Sequence, residues 1–236
     1  YVMYAITAAM LLCYADLEAD PRIEPGYPES WPHVFVTGPD FHKVFLRCDP
    51  YFVEIDTAAD PHKDATGLGR FHHRDAPTEL GPSMPAAPAP EYSVFPKGEF
   101  VPAAVAPAVG AGERWYSIVD QPQTACRVEA QASVRSHECT CRLVWPIATG
   151  EGAARVVQEL DLSADGLALR TVDAGGERPL RVYWPILVTN GRDFARVRAG
   201  PSAVRVGLAG WELVLEAGPE TTVHIDERLA VNRNGV

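Results

Sequence analysis

Trp211, Leu213 and Leu215 alternate along the chain with Glu212, Val214 and Glu216, and Leu180, Val182, Trp184, Ile186 and Val188 repeat the pattern. Period two sends successive side chains to opposite faces of an extended strand. From about residue 33 onward the same signature recurs in HVFVTG, KVFLRC, YFVEID, YSVF, RWYSIV, CTCRLVWPI, ARVVQELDLS, LALRTV, LRVYWPILV, AVRVGL, WELVLE and TTVHID. That many half-buried segments can only be satisfied by antiparallel sheets with one face on a core. Turn chemistry agrees: Ser163-Ala-Asp-Gly, Asp173-Ala-Gly-Gly and Asn190-Gly191 fall between strands, where a positive φ is wanted. The expected fold class is all-β, a large antiparallel β-sandwich or set of stacked sheets over residues 31–236. One helix over residues 1–20 precedes it, and no second amphipathic helix of normal length follows residue 20.

That helix, YVMYAITAAMLLCYADLEAD, reads as already under way at its first residue, and the chain stops inside the turn signal NRNGV. The sequence therefore reads as a piece of a larger protein, cut at both ends. The apolar run is too short to span a bilayer, and it lacks the basic start and small-residue cleavage site of a secretory signal. A length of 236 residues suits one large all-β domain or two small ones, and 47% hydrophobic residues rule out global disorder. A formal charge of -10 argues against non-specific nucleic-acid binding. Lys43, Lys63 and Lys97 are the only lysines among 21 basic residues, and the arginine that replaces them suits carboxylate recognition. Five cysteines, Cys13, Cys48, Cys126, Cys139 and Cys141, form no CxxC, so they read as buried or half-buried thiols rather than a zinc knuckle.

Residues 81–113 are rich in Pro, Ala and Gly, which forbids a central strand through most of them. They read either as a wrapped functional loop or as a linker between sheet layers. LVWPI (Leu143–Ile147) and VYWPI (Val182–Ile186) each place a Trp-Pro in an apolar strand. Proline lacks a ladder donor, so each belongs at an edge or a bulge, and core tryptophans near strand ends fit better than a sugar-stacking platform.

The densest ionisable chemistry lies in GLGRFHHRDAPTEL, Gly67 to Leu80. Gly67-Leu-Gly69 lacks the third glycine and following helix of a dinucleotide fingerprint. It reads instead as a tight turn that lets backbone approach a ligand or a neighbouring chain. If the segment is extended, Arg70 and His72 share one face, and Phe71, His73 and Asp75 share the other. His72 and His73 are the candidate catalytic residues, and Arg70, Arg74 and Glu79 the candidate substrate-binding residues. His73 and Asp75, distantly with His137, are the candidate ligands of a structural Zn2+ or Ca2+, although no spacing fixes three ligands. The competing reading is a polar loop of solvated charges. GxSxG and HExxH are absent, so hydrolases of those kinds have no support.

The helix ending in YADLEAD, the stretch HVFVTGPDFHKVFLRCDPYFVEIDTAADPHKDATGLGRFHHRDAPTELGPSMP and the closing NRNG resemble the C-terminal part of heparinase II/III-like proteins. His73-Arg74-Asp75-Ala76 matches the histidine-x-aspartate-alanine stretch at the start of that family's sheet domain. Phe71 stands where some members carry a further histidine. The resemblance implies that residues 1–17 are the last helix of an α/α toroid. It also implies that the remainder is the β-sheet part of a polysaccharide lyase, periplasmic or extracellular, acting on an acidic polysaccharide or oligosaccharide with neither nucleic acid nor membrane as partner. Lyase chemistry on a uronate is β-elimination: a cation or strong donors at the carboxylate, a base at C5 and an acid for the departing O4. Arg70, Arg74, His72 and His73 have the side chains for the first role. The alternative is a non-catalytic β-sandwich that binds carbohydrate or supports a partner domain, which exposed Trp145, Trp184 or Trp211 would favour.

Overall fold

A computed structural model describes residues 2–18, 32–38, 40–60, 64–83, 104–121, 126–176 and 178–226. The chain divides into two compact units, Tyr1–Ser30 and Trp31–Val236. The first unit contains helix α1 (Val2–Glu18). Ile6, Met10, Leu11, Leu12, Tyr14 and Leu17 all stand exposed on it. Among the described residues no helix is long and apolar enough to cross a membrane.

In the second unit the strands are, in chain order, β1 (His33–Val36), β2 (Lys43–Cys48), β3 (Tyr51–Asp56), β4 (Gly67–His73), β5 (Ala106–Ala111), β6 (Arg114–Ser117) and β7 (Arg127–Ser133). They continue with β8 (Glu138–Thr149), β9 (Gly152–Ser163), β10 (Gly166–Asp173), β11 (Leu180–Tyr183), β12 (Arg196–Ala199), β13 (Ala203–Leu208) and β14 (Trp211–Glu216). They form four antiparallel sheets, β1-β2-β3-β4, β10-β9-β8-β7, β11-β5-β6 and β12-β13-β14, so the all-β class holds. The main core lies between the first two of these sheets. Val44, Leu46, Val53 and Ile55 point into it from one side, and Cys139, Cys141, Leu143, Trp145, Ile147, Val156, Leu160 and Leu162 from the other. A smaller core gathers Leu80 with Val204, Val206 and Leu208.

Several expectations are corrected. Ala106–Ala111, inside the proline-rich bridge, is the central strand of its sheet. It tolerates Pro107 because pairing with β6 begins only at Ala108, so the missing donor lies where no ladder bond is due. The strand expected through Val188 ends at Tyr183, before Pro185. TTVHID forms no strand, RWYSIV closes with a short 3-10 turn at Ile118–Asp120, and YSVF lies outside the described residues. Strands β7 (RVEAQAS) and β12 (RVRA) were not read from the sequence although both alternate; their apolar positions are few and small, Val128, Ala130 and Ala132 in one and Val197 and Ala199 in the other. Pro146, by contrast, sits where β8 has lost β7 and keeps only β9 as a neighbour, as an edge proline should. Cys48, Cys139 and Cys141 are buried, and burial pushes the Cys126 and Cys141 thiols up to about 12, so they behave as core side chains rather than nucleophiles.

The Gly67-Leu-Gly69 stretch has two structural jobs. Leu68 exchanges both backbone hydrogen bonds with Val105, at 3.0 Å each, tying β4 to the start of β5. At Gly67 φ is +125°, and a Cβ there would meet the Val105 carbonyl oxygen at 2.6 Å. Gly67→Ala is therefore expected to cost about 1–3 kcal/mol, read as a lower urea midpoint at unchanged slope. The register between β3 and β4 skips one residue, Arg70 facing Glu54 but Leu68 facing Ile55, which leaves Gly69 as a bulge. The bulge reverses the alternation, so Leu68 enters the core while Arg70, two residues later, faces out.

A candidate acid-binding face on the first sheet

Cross-strand register assembles the outer face of the first sheet. Asp49 and Pro50 alone separate β2 from β3, so Lys43 pairs with Asp56, Phe45 with Glu54 and Arg47 with Phe52. β3 in turn sets Glu54 against Arg70 and Phe52 against His72. On β1, Phe35 pairs with Phe45. The core takes the alternate residues, so Phe35, Lys43, Phe45, Arg47, Phe52, Glu54, Asp56, Arg70 and His72 share the side turned away from it. Phe35, Phe45 and Phe52 run across three strands with ring centroids 6.2 and 6.1 Å apart, and His72 follows Phe52 at 6.5 Å.

An ionic cluster lies beside this aromatic row. Lys43 Nζ reaches Glu54 Oε1 at 3.1 Å, Asp56 Oδ2 at 2.8 Å and Asp64 Oδ2 at 2.8 Å. His42 Nδ1 lies 2.9 Å from Asp56 Oδ1. The other carboxylate oxygen of Glu54 holds Arg70 Nη1 at 3.2 Å. Glu54 thus connects a half-buried lysine to the arginine beside His72. At the lower edge of the face, a concavity of about 270 Å³ is lined by Arg47, Asp49, Tyr51, Phe52, His72 and Arg74. Two guanidiniums face one carboxylate there. Arg74 is bound to Asp49 by bonds of 2.7 and 3.0 Å, whereas Arg47 has no ion-pair partner among the described residues. Burial, and then the Arg70 cation, lower the pKa of His72, with Glu54 opposing them.

The sequence candidates divide between places. Arg70 and His72 lie together on the outer face, and Arg74 reaches the same concavity from the turn after β4. His73 points the other way, 5.1 Å from the Tyr51 ring and 4.9 Å from Trp211, and its Nδ1 accepts the Asp75 backbone N–H at 3.1 Å. The Asp75 carboxylate is exposed beside Arg74 Nε. The Glu79 carboxylate accepts from Asn190 Nδ2 at 2.9 Å, which lowers its pKa and clasps the Asn190 turn. Among the described residues no group of three His, Cys, Asp or Glu side chains is placed to hold a metal ion. Trp145 is fully buried, Trp184 is half-buried, and Trp211 is exposed at its rim against His73. Sequence reasoning missed Arg47, Phe52, Glu54 and the Lys43 cluster. Reading KVFLRC-DP-YFVEID as a hairpin with a two-residue turn places Arg47, Phe52, Glu54 and the Lys43–Asp56 pair, but not Asp64.

The outer face of the β7–β10 sheet offers a contrast. Glu129, Arg142, Glu159 and Arg170 are successive cross-strand partners of alternating sign, a solvated charge ladder without aromatic rings. The chain matches no protein-family model, no curated protein and no solved structure.

Proposed function

We propose that this chain is the β-sheet part of a polysaccharide lyase that cleaves uronate-containing glycans by β-elimination, and that the outer face of β1–β4 forms one wall of its cleft. The observation that carries the reading is one concavity lined by Arg47, His72 and Arg74, with Arg70 beside it on β4 and an aromatic row alongside. Guanidiniums and an imidazole at a uronate carboxylate neutralise it and make the neighbouring C5 proton removable. A polymeric acidic substrate fits a periplasmic or extracellular setting. The toroid helices that the sequence resemblance implies would supply the remaining proton-transfer groups.

In the full-length protein, absorbance of the unsaturated uronate product reports turnover. His72→Ala is expected to lower it by about 10²–10⁴. His73→Ala, which removes a ring packed between Tyr51 and Trp211, is expected to lower Tm more than turnover. Turnover unchanged in both variants would remove any catalytic part for the pair. The row of exposed Phe35 and half-buried Phe45 and Phe52 also suits a second reading, a non-catalytic carbohydrate-binding sheet. Retention on an acidic glycan column without unsaturated product would select it.

A further inference from the structure

Arg70 and His72 each carry a buried polar atom, Arg70 Nε and His72 Nε2, that has no hydrogen-bond partner among the described residues. Buried donors and acceptors are normally paired, and an orphan costs free energy. Here two orphans stand two residues apart on the same face of one strand, with Cα atoms about 6.6 Å apart by strand geometry. The guanidinium is oriented by its other end, because Nη1 is held by Glu54, itself held by Lys43. The edge at Nε, the one suited to gripping two oxygens of a planar or tetrahedral anion, is left unused.

We infer that Arg70 Nε and His72 Nε2 form a two-armed seat for a single oxyanion, a carboxylate or a sulfate ester. Glu54 and Lys43 serve as positioning residues that aim the arginine. The inference deepens the proposed function, on whose substrate it rests for biological meaning, but the seat itself is tested without turnover. An anion at His72 Nε2 favours the imidazolium, so binding takes up a proton. The charged groups facing His72 are Arg70 on β4, Glu54 on β3, Arg47 on β2, and Asp49 and Arg74 at the adjoining turns.

The experiment titrates this chain, ¹⁵N-labelled, with glucuronate and separately with sulfate, at ionic strength held constant with sodium chloride. The Arg70 Nε–H and His72 ring resonances should move and saturate together, with affinity strengthening from about pH 8 to about pH 5. Arg70→Lys keeps the charge but loses the Nε edge, and should weaken binding about tenfold or more. His72→Phe keeps a ring beside Phe52 and should abolish the pH dependence. Amide spectra matching the parent away from β3 and β4 confirm that both variants fold. Saturation by glucuronate alone, by sulfate alone or by both supports the seat and assigns its ligand. Absence of saturable shifts, parent-like affinity in Arg70→Lys, or pH dependence that survives His72→Phe overturns it. Glycan turnover with no anion seat would leave the lyase reading standing, and a seat without turnover would leave only the seat.

Discussion

Lys43→Met should remove about 3–5 kcal/mol of stability, the usual result of stripping one partner from a buried ionic cluster. The methionine keeps the aliphatic stem, so the loss reports the charge. Three carboxylates meet at the lysine Nζ, and Asp56 among them is only 3% exposed. Without the ammonium, Glu54 retains Arg70 and Asp56 retains His42, but no described partner bond remains to Asp64 other than to its own loop backbone. Against a typical total of about 5–15 kcal/mol this is a large fraction. A urea midpoint that falls by less than about 1 kcal/mol equivalent would mean that the cluster relaxes into solvent and holds nothing. The pH behaviour follows from the lysine itself. Burial alone would lower its pKa, but the bonds to Asp56 and Asp64 outweigh burial and raise it above the ordinary 10.5. A raised folded value means that the contribution is complete below about pH 10.5. It is lost only as pH climbs through the raised value, so the parent and Lys43→Met should differ undiminished across the neutral range.

Trp145→Ala is the other large expected effect, a fall in Tm of about 10 °C or more. The indole is fully buried in the main core and donates from Nε1 to Gln158 Oε1 at 2.9 Å. Gln158 faces the same interior, 3% exposed, and passes a 3.4 Å bond on to Thr171. Truncation opens a cavity and also strands the buried amide oxygen, two costs of about 3–5 and about 1–3 kcal/mol that need not add fully. Trp145→Phe separates them, since it refills most of the volume and leaves only the amide unpaired. Calorimetry giving Trp145→Phe and Trp145→Ala the same Tm would mean that packing contributes little there.

Strands such as Trp211–Glu216 and Ala203–Leu208 were legible because one solvated face leaves a strict alternation in the residues. β5 was not, since Pro-Ala-Val-Gly carries no alternation and its strand state is imposed by β11 and β6 on either side. Tertiary context overrode local preference there. In the candidate site, the split of His72 from His73 followed from pleat alone. The pairing of Lys43 with Asp56 follows from the two-residue turn at Asp49-Pro50, a signal present in the sequence but not used. Asp64 is different. It comes to Lys43 from a loop 21 residues away, and no periodicity encodes that meeting. The engagement of Glu79 by Asn190, 111 residues on, lay equally beyond local reading.

The extra residue at Gly69 works like a shift of reading frame within one strand. Upstream of it, the chain is in phase with the hydrophobic interior; downstream, it is in phase with the outward surface. Were Gly69 drawn into the ladder instead of looped out, the strand would have to choose between expelling Leu68 and swallowing Arg70 and His72. Seven consecutive residues can therefore answer to two masters, packing at one end and chemistry at the other, and substitutions on either side of the shift are free to vary without rephasing the other.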